Sequence, residues 1–473
     1  MNIKKLLGYA LGPIGGAAVS LISIPLISWY FPADDIGRIM LLQTVCTMAL
    51  IVCGFGLDQA YVREYHAIND KNQLFKTIFL LPFALTLFFG LLLAGIFPSW
   101  SAFTILELED ESLGILCIVF LAGAILTRFF SLILRMEERS FAFSFSQLTP
   151  KVLILLLVGL YVLIGMKADT FNLMAAYAIA QLLTLVILLL QTRHTVTQAW
   201  HSRVDMKLLR ENLHYGVPLV FGGLAYWGLT AVDRLLLKQY GSLSELGVYS
   251  MAVSFGAVAL IFQSVFSTIW APLVFKWVKE NSNLDKIDSI AYTMSDFIAA
   301  LICVVGIFSP LVTWVLPENY APVQFILLSS MIFPLLYTLT EVTGIGINVA
   351  KKTWLITLVS LIAFGINFAL LQSLVPSLGA KGAAMSTAIS FWLFFAMKTE
   401  ISSFLWQKLP RFKIYTTTLT CLLVSLAYTR WGNTENYWLF TLIWLAALAF
   451  IVFKRKAELQ QAIAKIRGRL KTA

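Results

Sequence analysis

Charge is scarce in this 473-residue sequence: Asp, Glu, Lys and Arg make up 13% of it, against 59% hydrophobic residues. A soluble domain carries about 25% charged residues, so a soluble protein of this size is excluded. Cysteine is nearly absent. Cys46, Cys53, Cys117, Cys303 and Cys421 all lie in apolar stretches without a Cys-x-x-Cys spacing, which excludes a disulfide framework and a zinc knuckle and leaves small apolar fillers. The four histidines (His66, His194, His201 and His214) fall outside the apolar stretches, so no buried imidazole serves as a proton relay. No P-loop is present, which argues against ATP hydrolysis by this chain. The longest loop on the outer side, Ser99–Ser112, carries Glu107, Glu109, Asp110 and Glu111 and no base. It leaves no room for a catalytic domain, so the chain is not expected to be an enzyme.

Long apolar runs fill what remains. About fourteen stretches of roughly 16–28 residues are mainly apolar, and some 20 such residues span the ~30 Å hydrocarbon core as a helix. The expected fold is an all-α polytopic membrane protein with about 14 transmembrane helices. The shortest expected spans are 152–166 and 414–429. With Met1 inside, only Arg38, Lys167, Lys238, Lys381 and Arg430 of the 35 Lys and Arg fall in outside segments, and Arg128 and Arg234 fall in spans. This bias places both termini in the cytoplasm. The formal net charge of +10 then reflects topology and contact with anionic membrane lipids, and no nucleic-acid partner is expected. The apolar run after Met1–Lys5 is too long for a signal-peptide core and is expected to stay as the first helix.

The sequence repeats itself at a shift of about 210 residues. Gly12-Pro13 and Gly15-Gly16 are echoed by Gly216, Pro218 and Gly222-Gly223; Asp34-Asp35-Ile36-Gly37 by Ser244-Glu245-Leu246-Gly247; Glu138-Arg139-Ser140 by Lys351-Lys352-Thr353; and Ala175-Ala176 by Ala383-Ala384. Six helices per repeat, an even number, give two parallel lobes, an arrangement typical of transporters. The expected division is an N-terminal six-helix lobe (1–191), a cytoplasmic linker (192–214), a pseudo-symmetric C-terminal six-helix lobe (215–406), two extra transmembrane helices (407–453) and a basic amphipathic tail (454–473). Gly12, Pro13, Gly216 and Pro218 are expected to break the first helix of each lobe where it lines a cavity. The alternative is that these glycines only allow close helix packing.

At these motifs the sequence resembles the Wzx-type polysaccharide flippases of the multidrug/oligosaccharidyl-lipid/polysaccharide exporter superfamily. The matching pieces are Asp35-Ile36-Gly37, then Gly54-Phe55-Gly56-Leu57-Asp58-Gln59-Ala60 running to Arg63 and Tyr65, then Gly216-Val217-Pro218 with Val232-Asp233-Arg234, and Gly379-Ala380-Lys381-Gly382-Ala383-Ala384. The resemblance covers about residues 1–400. It implies alternating access by two lobes that move undecaprenyl-diphosphate-linked oligosaccharide from the inner to the outer leaflet of a bacterial inner membrane, for O-antigen or another surface polysaccharide. No cofactor is expected, and coupling to a proton or sodium gradient stays open. Membrane lipids, a polysaccharide polymerase and a chain-length regulator are the remaining partner expectations.

Ionisable residues inside spans are costly and point to function. Arg128 and Arg234 are candidates for the diphosphate, because guanidinium offers planar paired donors to phosphate. Tyr226 and Trp227 are candidates for stacking on sugar, with buried packing as the competing role. Asp58, Asp233, Asp296 and Glu341 are coupling or gating candidates. The competing role for the charges is a helix-to-helix salt bridge, such as Arg128 with Glu341. Rival functions are a drug/cation antiporter, a peptidoglycan-precursor flippase and a membrane sugar polymerase. The topology has a direct test: reporter fusions at Lys71, Arg203, Lys279 and Lys465 should report inside and those at Glu109 and Gly241 outside, and a cytoplasmic signal at Lys167 would break the repeat.

Overall fold

Hydrocarbon offers no partner to a backbone N–H or C=O, so a chain that crosses it must satisfy those groups within helices or a closed barrel. This chain takes the first course. The computed structural model describes residues 3–256, 258–409 and 411–456, with side chains for all of these except 3–10, 13, 258, 261, 264, 265, 268 and 269. It is 87% helix, with no strand among the described residues. Among the described residues, ten helices are long and apolar enough to cross a membrane. The tail expected to be amphipathic lies outside the described residues from 457 onward.

Contacts divide the chain into two compact units, Met1–Ile261 with Ser360–Ala383, and Phe262–Val359 with Ala384–Ala473. The first holds α1 (Ile3–Tyr30), α2 (Ala33–Gly54), α3 (Leu57–Glu64), α4 (Lys71–Ile96), α5 (Pro98–Leu106), α6 (Glu111–Met136), α7 (Ser140–Ile164), α8 (Thr170–His201), α9 (Met206–Tyr240) and α10 (Leu243–Gly256). Side-chain oxygens cap several of these. Asp70, Asp110, Asp169 and Asp205 each accept from amides of the first turn that follows, which satisfies donors the helix itself cannot. The Ser112 hydroxyl and the Leu113 amide hold the Asp110 carboxyl below the usual carboxylate range. The core of this unit gathers Tyr61 of α3, Phe75 of α4, and Phe129 and Phe130 of α6.

Where helices of this unit approach most closely, glycine is at the contact. A Cβ on Gly12 would stand 3.2 Å from the Ser144 hydroxyl and one on Gly15 3.0 Å from Leu148, so α1 lies tightly on α7. The two copies of the duplicated turn motif face each other. A side chain on Gly37 would run into the Leu243 carbonyl, and one on Gly247 into the Ala33 carbonyl. Nearby, Asp35 accepts from Arg38 at 2.7 Å and from the Thr170 hydroxyl, and Arg38 also donates to the Leu106 carbonyl at 3.0 Å. That network ties the starts of α2 and α8 to the end of α5.

The second unit holds most of α11 (Val258–Glu280), then α12 (Lys286–Phe308), α13 (Leu311–Val315), α14 (Val323–Thr343) and α15 (Ile345–Val349), with the ends of α16 (Trp354–Leu405), α17 (Arg411–Trp431) and α18 (Tyr437–Lys454). The last two helices are built into this core. Trp444 of α18 is 1% exposed and lies over Gly306 of α12. The Tyr428 hydroxyl of α17 bonds Ser309 at 2.8 Å and accepts from Gln324 at 3.3 Å.

Several expectations need correction. The short span 152–166 is the second half of α7, which begins at Ser140, and the stretch at 414–429 is extended to Arg411–Trp431. α16 has 52 residues and would be about 78 Å long if straight, more than twice the hydrocarbon core. Its non-helical residue is Gly379 (φ 53°), where the expected eleventh and twelfth helices meet. The expected breaks do not interrupt their helices. α1 continues through Gly12 and Pro13, whose side chain lies outside the described residues, and α9 continues through Gly216 and Pro218. Gly216 instead permits a contact. Its missing side chain makes room for the Phe55 carbonyl and the backbone of Gly56.

That contact yields a stability test. Gly216→Ala should destabilise the protein by about 1–3 kcal/mol, the usual range for overpacking, read as lower membrane abundance and a lower Tm. Gly159→Ala is the control. Nothing lies within 4 Å of its added methyl, and alanine favours helix, so abundance should hold or rise.

Candidate functional site

The site grows from a turn. After α2 the chain adopts left-handed conformations at Phe55 (φ 49°) and Gly56 (φ 67°), a region that glycine enters without strain. The reversal starts α3, whose first turn carries Asp58 and whose last carries Arg63. Gly56 rests directly on the backbone of Gly216, which sets α3 beside the first half of α9. The Arg63 guanidinium lies 4.3 Å from the centre of the Tyr215 ring and 3.2 Å from Glu64. Between these elements opens a cavity of about 1110 Å³ whose lining includes Arg63, Arg210, Glu211, His214, Tyr215 and Pro218. Such a basic, aromatic-edged vestibule suits an anionic ligand with a sugar face.

At the other end of α3, Asp58 meets Arg128 of α6. Arg128 donates from Nη2 at 2.8 Å and from Nε at 3.3 Å, both to Oδ2 of Asp58. No partner for Nη1 is found among the described residues. The Arg128 side chain is 39% exposed, so one edge of the guanidinium is held and the other is presented. Asp58, rather than Glu341, is the carboxylate that Arg128 pairs with.

Arg234 lies in a separate network. It pairs with Asp233 at 3.5 Å, and Asp233 also accepts from the Tyr249 hydroxyl and from the Arg234 amide at 2.8 Å. The Trp227 indole donates to the Thr47 hydroxyl of α2 at 3.0 Å, and Tyr226 is 36% exposed. Lys238 joins the end of α9 to the loop before α6, donating to the Thr104 carbonyl and pairing with Glu107 at 3.8 Å. From those joined ends, at 1.5 Å per residue, Arg234 is about 9 Å deep and Arg128 about 26 Å. A single diphosphate does not reach both.

In the second unit, Asp296 is 4% exposed and doubly paired, with Lys454 at 2.9 Å and Arg455 at 2.7 Å. It fastens the end of α18 to α12. The Glu341 carbonyl accepts from the Trp270 indole at 2.8 Å.

Two embedded cations escape a reading of the loops. Lys151 directly precedes the expected start of the span 152–166 and Lys398 directly follows the expected end of another, yet both lie inside helices. Lys151 is eleven residues into α7, about 16 Å, and donates to the Gly16 carbonyl at 3.1 Å and the Ser20 hydroxyl at 3.0 Å. A charge at that depth faces protein or water, not lipid. Lys398 is buried, 5.5 Å from the ring centres of Tyr337 and Phe394, with Glu341 as a neighbouring charge. The signal was the uninterrupted helix-compatible sequence from Ser140 to Lys151 and from Lys398 to Leu405, which contains neither glycine nor, apart from Pro150, proline.

The fold has solved counterparts. A lipid II flippase, MurJ, in an inward closed conformation superposes with a TM-score of 0.68 over 97% of this chain and 100% of that one, at 12% identity. Two multidrug resistance MATE family transporters of the MOP superfamily follow, both at a TM-score of 0.57 and over 87% of this chain. The inward-facing one is covered over 99% of its length at 15% identity, and the outward-facing one over 94% at 14%. No curated protein sequence matches the chain significantly. The sequence profile of the polysaccharide biosynthesis protein family matches residues 3–278, more than half of the 473 residues, and the chain belongs to that family.

Proposed function

We propose that this protein is a membrane flippase of the MOP superfamily that translocates undecaprenyl-diphosphate-linked oligosaccharide repeat units from the cytoplasmic to the outer leaflet of a bacterial inner membrane, for O-antigen or a related surface polysaccharide. The observation that carries the reading is the basic vestibule at Arg63, Arg210, His214 and Tyr215, together with the half-presented guanidinium of Arg128, which is held by Asp58 of the short helix that also carries Arg63. Membership of the polysaccharide biosynthesis family supports the substrate class. The protein binds and moves its substrate and breaks no bond in it.

In this reading the head group enters the vestibule and its diphosphate passes to Arg128. Lys151 and then Arg234 follow as separate stations and do not close as two jaws of one clamp. Alternating access by two six-helix lobes carries the exchange, and a proton or sodium gradient drives it. A peptidoglycan-precursor flippase is the second reading, supported by the likeness in fold to MurJ.

Deletion decides between them. The first reading expects lipid-linked repeat units to accumulate on the cytoplasmic leaflet while surface glycan disappears and growth continues. Normal surface glycan in a strain without a redundant transporter overturns it, and accumulation of lipid II with lysis selects the second.

Arg128 has its own test. Arg128→Ala strips Asp58 of its counter-charge, at a cost of about 1–3 kcal/mol for a half-exposed pair, read as reduced abundance. The double variant Asp58→Ala with Arg128→Ala should restore abundance without restoring export, and Arg128→Lys should keep only part of the export. Full export by the double variant would make Arg128 a helix staple.

A further inference from the structure

Away from the vestibule, α4, α6 and α8 of the first unit enclose a cleft of about 240 Å³. One wall is a stripe of phenylalanines on α4, Phe75, Phe79 and Phe83, at intervals of four residues. Their ring centres lie 5.2 and 5.4 Å apart, and Phe130 of α6 closes against Phe79 at 5.3 Å. Leu126, Leu185 and Leu189 complete the floor. The rim is open, with Leu80 41% and Trp200 70% exposed. At ~30 Å³ per water the cleft has room for about eight waters, and its walls offer them no hydrogen-bond partners. A cleft that is apolar on its walls and open at its rim accepts hydrocarbon in preference to water.

The rim adds a charge. The Lys76 ammonium donates to the Trp200 carbonyl at 2.6 Å and the Ser202 carbonyl at 2.8 Å, and lies 5.8 Å from the Trp200 ring centre. Two of its three N–H bonds are used, and the third is left for an oxygen at the mouth. Arg203 follows Ser202 directly, and Lys71 opens the same helix. The acids nearby, Asp70 and Asp205, are both committed to capping helices. An apolar slot under a fixed ammonium and an interfacial tryptophan matches the two ends of a lipid.

We propose that this cleft is a binding site for an anionic glycerophospholipid of the adjoining leaflet, with one acyl chain along Phe75, Phe79 and Phe83 and the phosphate at Lys76. The site is distinct from the vestibule and does not depend on the identity of the transported substrate.

The test uses the full-length protein in nanodiscs with photoreactive phospholipids that carry a diazirine on the acyl chain. Phosphatidylglycerol should label the segments 75–83 and 185–200 several-fold more than phosphatidylcholine does. Lys76→Gln should abolish that preference while Lys76→Arg keeps it, and Leu189→Trp, which fills the slot, should remove the labelling. If Leu189→Trp fails to accumulate, competition by unlabelled phosphatidylglycerol against unlabelled phosphatidylcholine gives the same readout on the wild-type protein. Equal labelling by the two head groups, or labelling that Leu189→Trp leaves unchanged, overturns the proposal. So does labelling of these segments by a polyisoprenyl phosphate probe alone, which would assign the cleft to the transported lipid.

Discussion

Two of the close backbone-to-backbone contacts in the first unit set where its charged groups stand. Gly56 rests on Gly216, and Gly37 rests on the turn that contains Gly247. Any side chain there would hold the helices apart. The first contact brings α3 against α9, and with it come Asp58, Arg63 and Tyr215. The second joins a motif to its own duplicate, as in an isologous interface where the same patch serves both partners. Glycine in these positions is a requirement of distance, whereas at Gly56 and Gly379 the positive φ calls on the conformational freedom of the residue as well.

The charges obey a second rule. In a medium that cannot solvate ions, each is paired, held by carbonyls or turned toward a cavity. Asp296 has two cations, and Asp233 has a tyrosine hydroxyl and an arginine. Arg128 departs from this pattern. Asp58 satisfies only one edge of its guanidinium, and that asymmetry is what separates a group able to take a ligand from one that only joins helices.

The helices were legible in the sequence because hydropathy is a local property. Asp34 to Gly37 and Ser244 to Gly247 could be aligned by eye, although that they touch each other could not be known. Helix ends were harder. Lys151 and Lys398 were read as loop residues because a charge at the edge of an apolar run usually marks the interface, whereas the Gly16 carbonyl and the Tyr337 and Phe394 rings accommodate them within the fold. Partner choice was out of reach. Arg128 aligned with Glu341 through the repeat, yet its counter-charge is Asp58, brought near by the turn at Phe55 and Gly56. The breaks expected at Gly12 and Gly216 were packing positions, since a glycine that bends a helix and one that admits a neighbour look the same in sequence.

The clamp on Asp296 bears on the order in which the protein is made. Its two cations, Lys454 and Arg455, are translated more than 150 residues after it. Until they emerge, the membrane holds a carboxylate on α12 without its counter-ions. The second unit therefore reaches its final arrangement only after synthesis of α18. A chain stopped short of Lys454 would keep that carboxylate without these two partners.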